Sequence, residues 1–157
     1  MPVETIAPVR KTVTVEVPRQ RAFDVFTQKI GTWWKPGYSI GAAPFVDVLL
    51  EPREGGRWYE VDAEGNECPW GRVMVWEPPT RVVLAWQITD RFAYDPGLET
   101  EVEVRFVEEG PTTTRVDLEH RNLDRYGGAA APMREAFDGP DGWLGLLELF
   151  SRAAATA

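Results

Sequence analysis

One cysteine, one histidine and three lysines are all that this 157-residue chain holds of residue types that carry much protein chemistry. With Cys68 alone there is no internal disulfide, and with His120 alone the usual zinc constellations cannot be assembled, so no metal or other cofactor is expected. Acidic residues outnumber basic ones 25 to 17, and a net charge of −8 with a pI near 4.7 argues against nucleic acid, whose phosphates need a basic face. Nucleic acid is therefore not an expected partner, and an anionic membrane surface is disfavoured on the same ground. Long apolar runs are also missing: the longest is Val82 to Trp86, which rules out insertion of a spanning helix. Glu4 sits where a signal sequence would need apolar residues, which gives the expectation of a cytoplasmic protein. No internal repeat, low-complexity tract or linker interrupts the chain. Its length suits a single domain over 1–157, with fraying expected at Met1–Ala7 and Ala155–Ala157.

What the chain does have is tryptophan, seven of them, and a strongly apolar carboxy-terminal stretch, GPDGWLGLLELFSRAA from Gly139 to Ala154. There Trp143, Leu146, Leu147 and Phe150 fall at i, i+3, i+4 and i+7, and Leu144 and Leu149 widen the stripe. A helix is expected from Pro140, a residue suited to a first helical position, and one so apolar needs a partner that wraps it.

The wrapper is legible as strands. Val9 to Val17 alternate and read as a half-buried first strand. Pro18 ends it and opens a helix to Ile30 with Ala22, Phe23 and Phe26 at helical spacing. Thr32 to Ala43 is too rich in glycine and proline for more than a short helical turn. Six strand-like runs follow, at about 44–51, 56–62, 68–77, 80–88, 98–108 and 112–121, separated by turn sequences such as Glu54-Gly55-Gly56 and Glu64-Gly65-Asn66. Short connections make neighbours antiparallel. In the last run Thr114, Val116, Leu118 and His120 share a face opposite Arg115, Asp117, Glu119 and Arg121, so one side of the sheet is wet. Glu101 and Glu103 belong to that solvated side by alternation. Residues 124–137 read as an irregular helical lead-in, broken at Gly127-Gly128 and Pro132.

Several stretches carry more than pattern: AFDVFTQKIGTWW at 22–34, EPREGGRWYE at 51–60, WGRVMVWEPPTRVVLAWQI at 70–88, LEHRNLDRYG at 118–127 and DGWLGLLELF at 141–150. Together they resemble the START-related SRPBCC superfamily, in the branch named for the activator of the heat-shock chaperone ATPase. The resemblance implies an α+β helix-grip fold, with a seven-stranded curved antiparallel sheet wrapped around a long terminal helix and short helical segments after the first strand. It also implies a hydrophobic pocket between the concave sheet face and that helix, of the kind that holds sterols, polyketides or other apolar ligands in relatives. The branch name further implies chaperone regulation.

Candidate site residues follow from the aromatics. Trp33, Trp34, Trp58, Trp70, Trp76, Trp86 and Trp143 lie on loop, sheet and terminal helix, where they could converge on one space, with Leu147 and Phe150 beside them on the helix. Each indole brings apolar area and one N–H donor, which suits a pocket for a small hydrophobic or aromatic molecule. Core filling is the competing use of the same rings, above all for Trp76 and Trp86. His120 points inward and is either a ligand donor or weak catalytic candidate, or a buried histidine bonded to a backbone carbonyl or to Tyr126. The segment Gly37-Tyr38-Ser39-Ile40-Gly41 fits G-x-S-x-G formally but lacks the strand and helix a nucleophile elbow requires. Asp47 and Glu60, if they face the pocket, are candidate proton relays. Three functions therefore stand side by side: a ligand-binding protein, a cyclase- or hydrolase-type enzyme using the same cavity, and a chaperone-regulating module. Exposed aromatic loops and sheet edges are also natural contacts for a homodimer.

Overall fold

The computed structural model describes residues 6–35 and 37–156. Most of the fraying expected at Met1–Ala7 thus lies outside the described residues, whereas Ala155 and Thr156 are helical. Seven strands form one antiparallel sheet in the order β1-β7-β6-β5-β4-β3-β2, the helix-grip architecture. They are β1 (Val9–Val15), β2 (Phe45–Leu50), β3 (Arg57–Asp62), β4 (Glu67–Glu77), β5 (Arg81–Trp86), β6 (Thr100–Gly110) and β7 (Thr113–Arg121). Every strand ends within two residues of the expected limits, because period-2 alternation and glycine-rich turns mark both its faces and its ends. Only the pairing of β1 with β7 joins elements far apart in sequence, with Val9 opposite His120 and Val13 opposite Val116.

Between β1 and β2 the single expected helix is divided in two, α1 (Arg19–Thr27) and α2 (Ile30–Trp33). Thr27 turns its hydroxyl back to donate to the Phe23 carbonyl at 2.7 Å, and Lys29 leaves the helical region at φ −115°, ψ 25°. The restart drops both Ile30 and Trp33 into the core. Gly31 lets α2 lie on β2: a Cβ there would stand 1.6 Å from Asp47 Oδ1.

After β7 the chain runs through a 3₁₀ segment (Leu123–Ala129), kinked where Gly127 adopts φ 62°, ψ −126°, into α3 (Ala130–Asp138). The terminal helix α4 spans Trp143–Thr156, so it begins three residues later than Pro140. Gly139–Gly142 instead makes the reversal between α3 and α4, closed by the Gly142 N–H donating to the Gly139 carbonyl at 2.9 Å. A side chain at Gly142 is not tolerated, since its Cβ would meet the Phe137 carbonyl at 2.2 Å. At about 1.5 Å per residue α4 is roughly 21 Å long. It lies in the concave sheet face with Trp143, Leu146, Leu147, Phe150 and Ala154 buried, while Leu144 is exposed and the stripe is narrower than the sequence suggested.

The convex face is mostly wet, although Val83, Ala85, Gln87 and Glu103 are buried on it. Glu103, expected among solvated carboxylates, is only 6% exposed because Arg81, Arg105 and Arg121 fold over it. Burial raises its pKa, but the three guanidiniums outweigh that and hold the carboxyl below its ordinary value.

Candidate functional site

The concave face has two aromatic clusters, one at each end of the strands. At the end where β4 turns into β5, Phe23 meets Trp76 and Phe106 edge-on at 5.1 and 5.2 Å, and Phe26 meets Phe150 at 5.2 Å. Trp33 closes this cluster against Phe26 and Phe150 and donates its N–H to the Val25 carbonyl at 3.0 Å. In this cluster Phe23, Phe26, Trp33, Phe106 and Phe150 are buried and Trp76 is half-buried.

At the other end Trp34 touches Trp70 at 5.1 Å and Trp143 at 6.0 Å, and Trp86 touches Trp143 at 5.6 Å and Phe137 at 5.5 Å. Here the rings surround a hollow of about 520 Å³ between the 34–40 loop, the α3–α4 turn and the outer ends of β4 and β5. Ile88, Phe92 and Met133 complete its apolar wall. Three of its four indoles are held by their own N–H groups: Trp34 donates to the Tyr38 carbonyl (2.9 Å), Trp70 to Glu60 (2.9 Å) and Trp143 to His120 (3.0 Å). Rings tied in this way present fixed apolar faces to the hollow. By contrast, the buried N–H of Trp58 meets no acceptor among the described residues, an arrangement that costs on the order of 1–3 kcal/mol, and the N–H of Trp86 has only the Tyr126 hydroxyl beside it.

Glu60 organises the rim. Its fully buried carboxylate accepts from Ile40 N (2.6 Å), Gly41 N (3.3 Å) and the Trp70 indole, so one side chain fixes both the loop and a wall ring. Cys68 lies beside it, and burial together with the negative charges of Glu60 and Asp62 raises its thiol pKa. Asp47, at the register shift inside β2, accepts from Val48 N at 2.9 Å and does not line the hollow. The Gly37–Gly41 loop leads irregularly into the edge strand β2, so Ser39 has no elbow beneath it although it lines the hollow. Among the described residues no group of three His, Cys, Asp or Glu side chains is placed to hold a metal ion. No helix is long and apolar enough to cross a membrane.

His120 is fully buried behind this wall. Trp143 can only donate, so Nδ1 of His120 is the acceptor and its proton resides on Nε2, which donates to Thr100 Oγ1 at 2.8 Å. The Thr100 hydroxyl in turn donates to the Trp86 carbonyl at 2.9 Å. Every partner in the chain is thus satisfied by a neutral ring, and burial lowers the pKa of His120 to about 3. Tyr126 is not its partner: that hydroxyl donates to the Ile88 carbonyl at 2.7 Å.

Of the residues singled out in the sequence, Trp34, Trp70, Trp86 and Trp143 come together around the hollow. Trp33, Trp76 and Phe150 lie in the solid cluster, Trp58 and Leu147 are completely enclosed by protein, and His120 stands behind Trp143. Sequence reasoning missed Tyr38, Ile40, Phe92 and Leu146 as wall residues. Phe92, 70% exposed at φ 58° in the long Thr89–Gly97 loop, had a usable signal in being an aromatic at a loop tip without a core to serve.

Comparison with known proteins agrees with this architecture. The family described as Activator of Hsp90 ATPase homolog 1-like protein matches residues 16–143. The chain belongs to this family. That places it in the branch of the SRPBCC superfamily that its motifs resemble. Among solved structures, this chain is similar to an anthrahydroquino-Gama-pyrone synthase, Txn09, complexed with SUM. They share 36% identity over 98% of this chain and 99% of the other, with a TM-score of 0.67. It is also similar to the self-sacrificing resistance protein CalC from Micromonospora echinospora, at 33% identity over 94% and 93% of the two chains with a TM-score of 0.69. The Aha1 dimer from Colwellia psychrerythraea shares the fold at 14% identity over 96% and 97%, with a TM-score of 0.61. No curated protein sequence is significantly similar.

Proposed function

We propose that this chain binds a flat, polycyclic aromatic molecule in the hollow walled by Trp34, Trp70, Trp86 and Trp143. The observation that carries the reading is the tethering of the indoles: three rings face an unfilled apolar space in orientations fixed by hydrogen bonds that no ligand has to supply. A volume of about 520 Å³ falls within the range of small-molecule sites, and stacked or edge-on indoles suit fused rings better than branched aliphatic chains. The similarity to a synthase named for an anthrahydroquino-pyrone supports the same ligand class. Titration of the intrinsic tryptophan emission with a panel of anthraquinones and other fused-ring compounds tests it. Saturable quenching with one-to-one stoichiometry is expected, and emission unmoved across the panel would refute the reading.

A second reading is turnover in the same hollow, favoured by the 36% identity to that synthase. Proton transfer would then fall to Tyr38, Glu135 or Asp141 at the wall, because His120 is sealed behind Trp143 and neutral. Recovery of every probe unchanged after prolonged incubation counts against turnover and leaves binding intact.

A further inference from the structure

A second, outer groove of about 1090 Å³ runs along α4 on the side of α2 and the edge strand β2, and it shares Trp34, Tyr38, Asp141 and Leu146 with the inner hollow. The partition between them is narrow: the Tyr38 hydroxyl donates to the Asp141 carbonyl across it. The two spaces differ in charge. The inner hollow has no Lys or Arg in its wall, and its charged side chains are Glu135 and Asp141. Lys29, Lys35 and Arg152 line the outer groove, with Glu148 and the shared Asp141 as its acidic members.

These cations are unusual for this molecule. Ten of its 17 Lys and Arg side chains stand in ion pairs among the described residues, in keeping with the acidic excess. Lys29, Lys35 and Arg152 are among the seven outside those pairs, and all three gather in one groove. Lys35 lies at the partition itself, its ammonium 5.0 Å from the centre of the Tyr38 ring. An anion carried by a ligand has no compensation in the inner hollow, where desolvation is unrelieved and two carboxylates repel it. Over the partition it meets three exposed cations that form no ion pair among the described residues, in a groove whose acidic members are Glu148 and the shared Asp141.

We infer that the ligand is an amphiphile, with a polycyclic aromatic body in the inner hollow and an anionic arm that crosses the Tyr38–Asp141 partition to Lys29, Lys35 and Arg152. This inference rests on the aromatic-binding reading and adds the charge and direction of a substituent. Ion pairs at such exposed positions are individually weak, so the arm contributes selectivity more than affinity.

Calorimetric titration of the full chain with two anthraquinones tests it, the pair being identical except that a short alkoxy arm ends in a carboxylate in one and its methyl ester in the other. The acid should bind roughly three- to tenfold more tightly at low salt, and the gain should shrink when salt is raised to about 0.5 M. In K29Q/K35Q/R152Q the gain should vanish while the ester binds as before, which also certifies the fold of the variant. Equal affinity of acid and ester in the unmodified chain, or a gain that survives the triple substitution, overturns the anionic arm but leaves the aromatic site standing. Binding of neither compound overturns both.

Discussion

The two ends of the concave face are both built from aromatic rings, and they differ in what the rings touch. At the closed end Phe23, Phe26, Trp33, Phe106 and Phe150 meet one another edge-on, and the one indole N–H in that group is satisfied by a backbone carbonyl. At the open end the rings also meet, Trp34 with Trp70 at 5.1 Å and Trp86 with Trp143 at 5.6 Å, but they are tethered by their N–H groups: Glu60 holds Trp70, His120 holds Trp143, and the Tyr38 carbonyl holds Trp34. The buried indole N–H of Trp58 meets no acceptor there among the described residues. The open end thus holds a buried carboxylate, a buried imidazole and a buried indole N–H at Trp58 that meets no acceptor among the described residues, a pattern of cost expected where structure serves something other than stability.

The contrast is broken most directly by truncating one ring at each end. Phe150→Ala removes a fully buried ring from the closed cluster and should destabilise the protein by about 3–5 kcal/mol. Phe137→Ala, at a half-buried ring already facing the hollow, should cost clearly less, on the order of 1–2 kcal/mol. Urea denaturation of both variants measures the difference, and equal losses would mean that the open end is packed as tightly as the closed one.

A smaller effect is expected from acid. The fold holds His120 neutral with a pKa near 3, while in the unfolded chain it titrates near 6.5, so between these values the unfolded state binds the additional proton. Stability from this group is complete above pH 6.5 and is lost as pH falls, by about 2 kcal/mol between pH 6 and 4.5. Carboxylates held below their ordinary values, among them Glu103 and Asp62, add their losses only at lower pH. His120→Gln should flatten the slope between pH 6 and 4.5. A wild-type stability curve already flat there would show that the ring is not sealed.

The smallest stability effect belongs to the rim. Phe92→Ala should change stability by no more than about 0.5 kcal/mol, since the ring is mostly in water. If the hollow takes a fused-ring ligand, the same substitution should still weaken anthraquinone binding by a few fold, measured by fluorescence titration. Loss of stability without loss of affinity would assign Phe92 to the closed kind of packing.

Strand positions and the inward face were legible because alternation reports directly which side of a sheet a residue occupies; Thr114, Val116, Leu118 and His120 are all buried. The site was legible only in outline. Trp33 and Trp34 are neighbours in sequence and similar in burial, yet one enters the solid cluster and the other walls the hollow. Their N–H groups point to Val25 and Tyr38 respectively, partners that no local pattern announces. Glu103 was misjudged for a related reason: alternation put it on the outer face correctly, but the arginines that cover it come from β5, β7 and its own strand.

By itself the sequence determined the seven strands, their antiparallel neighbours, the concave face and the helix laid against it, since each of these is written in periodicity and turn chemistry over a few residues. Tertiary structure alone decided how far along that face each ring sits. The axial position of α4 depends on the Gly139–Gly142 reversal and on the bond from Trp143 to His120. Periodicity reports a face and is blind to depth, and depth is what separates an aromatic ring that fills the core from one that walls an open space.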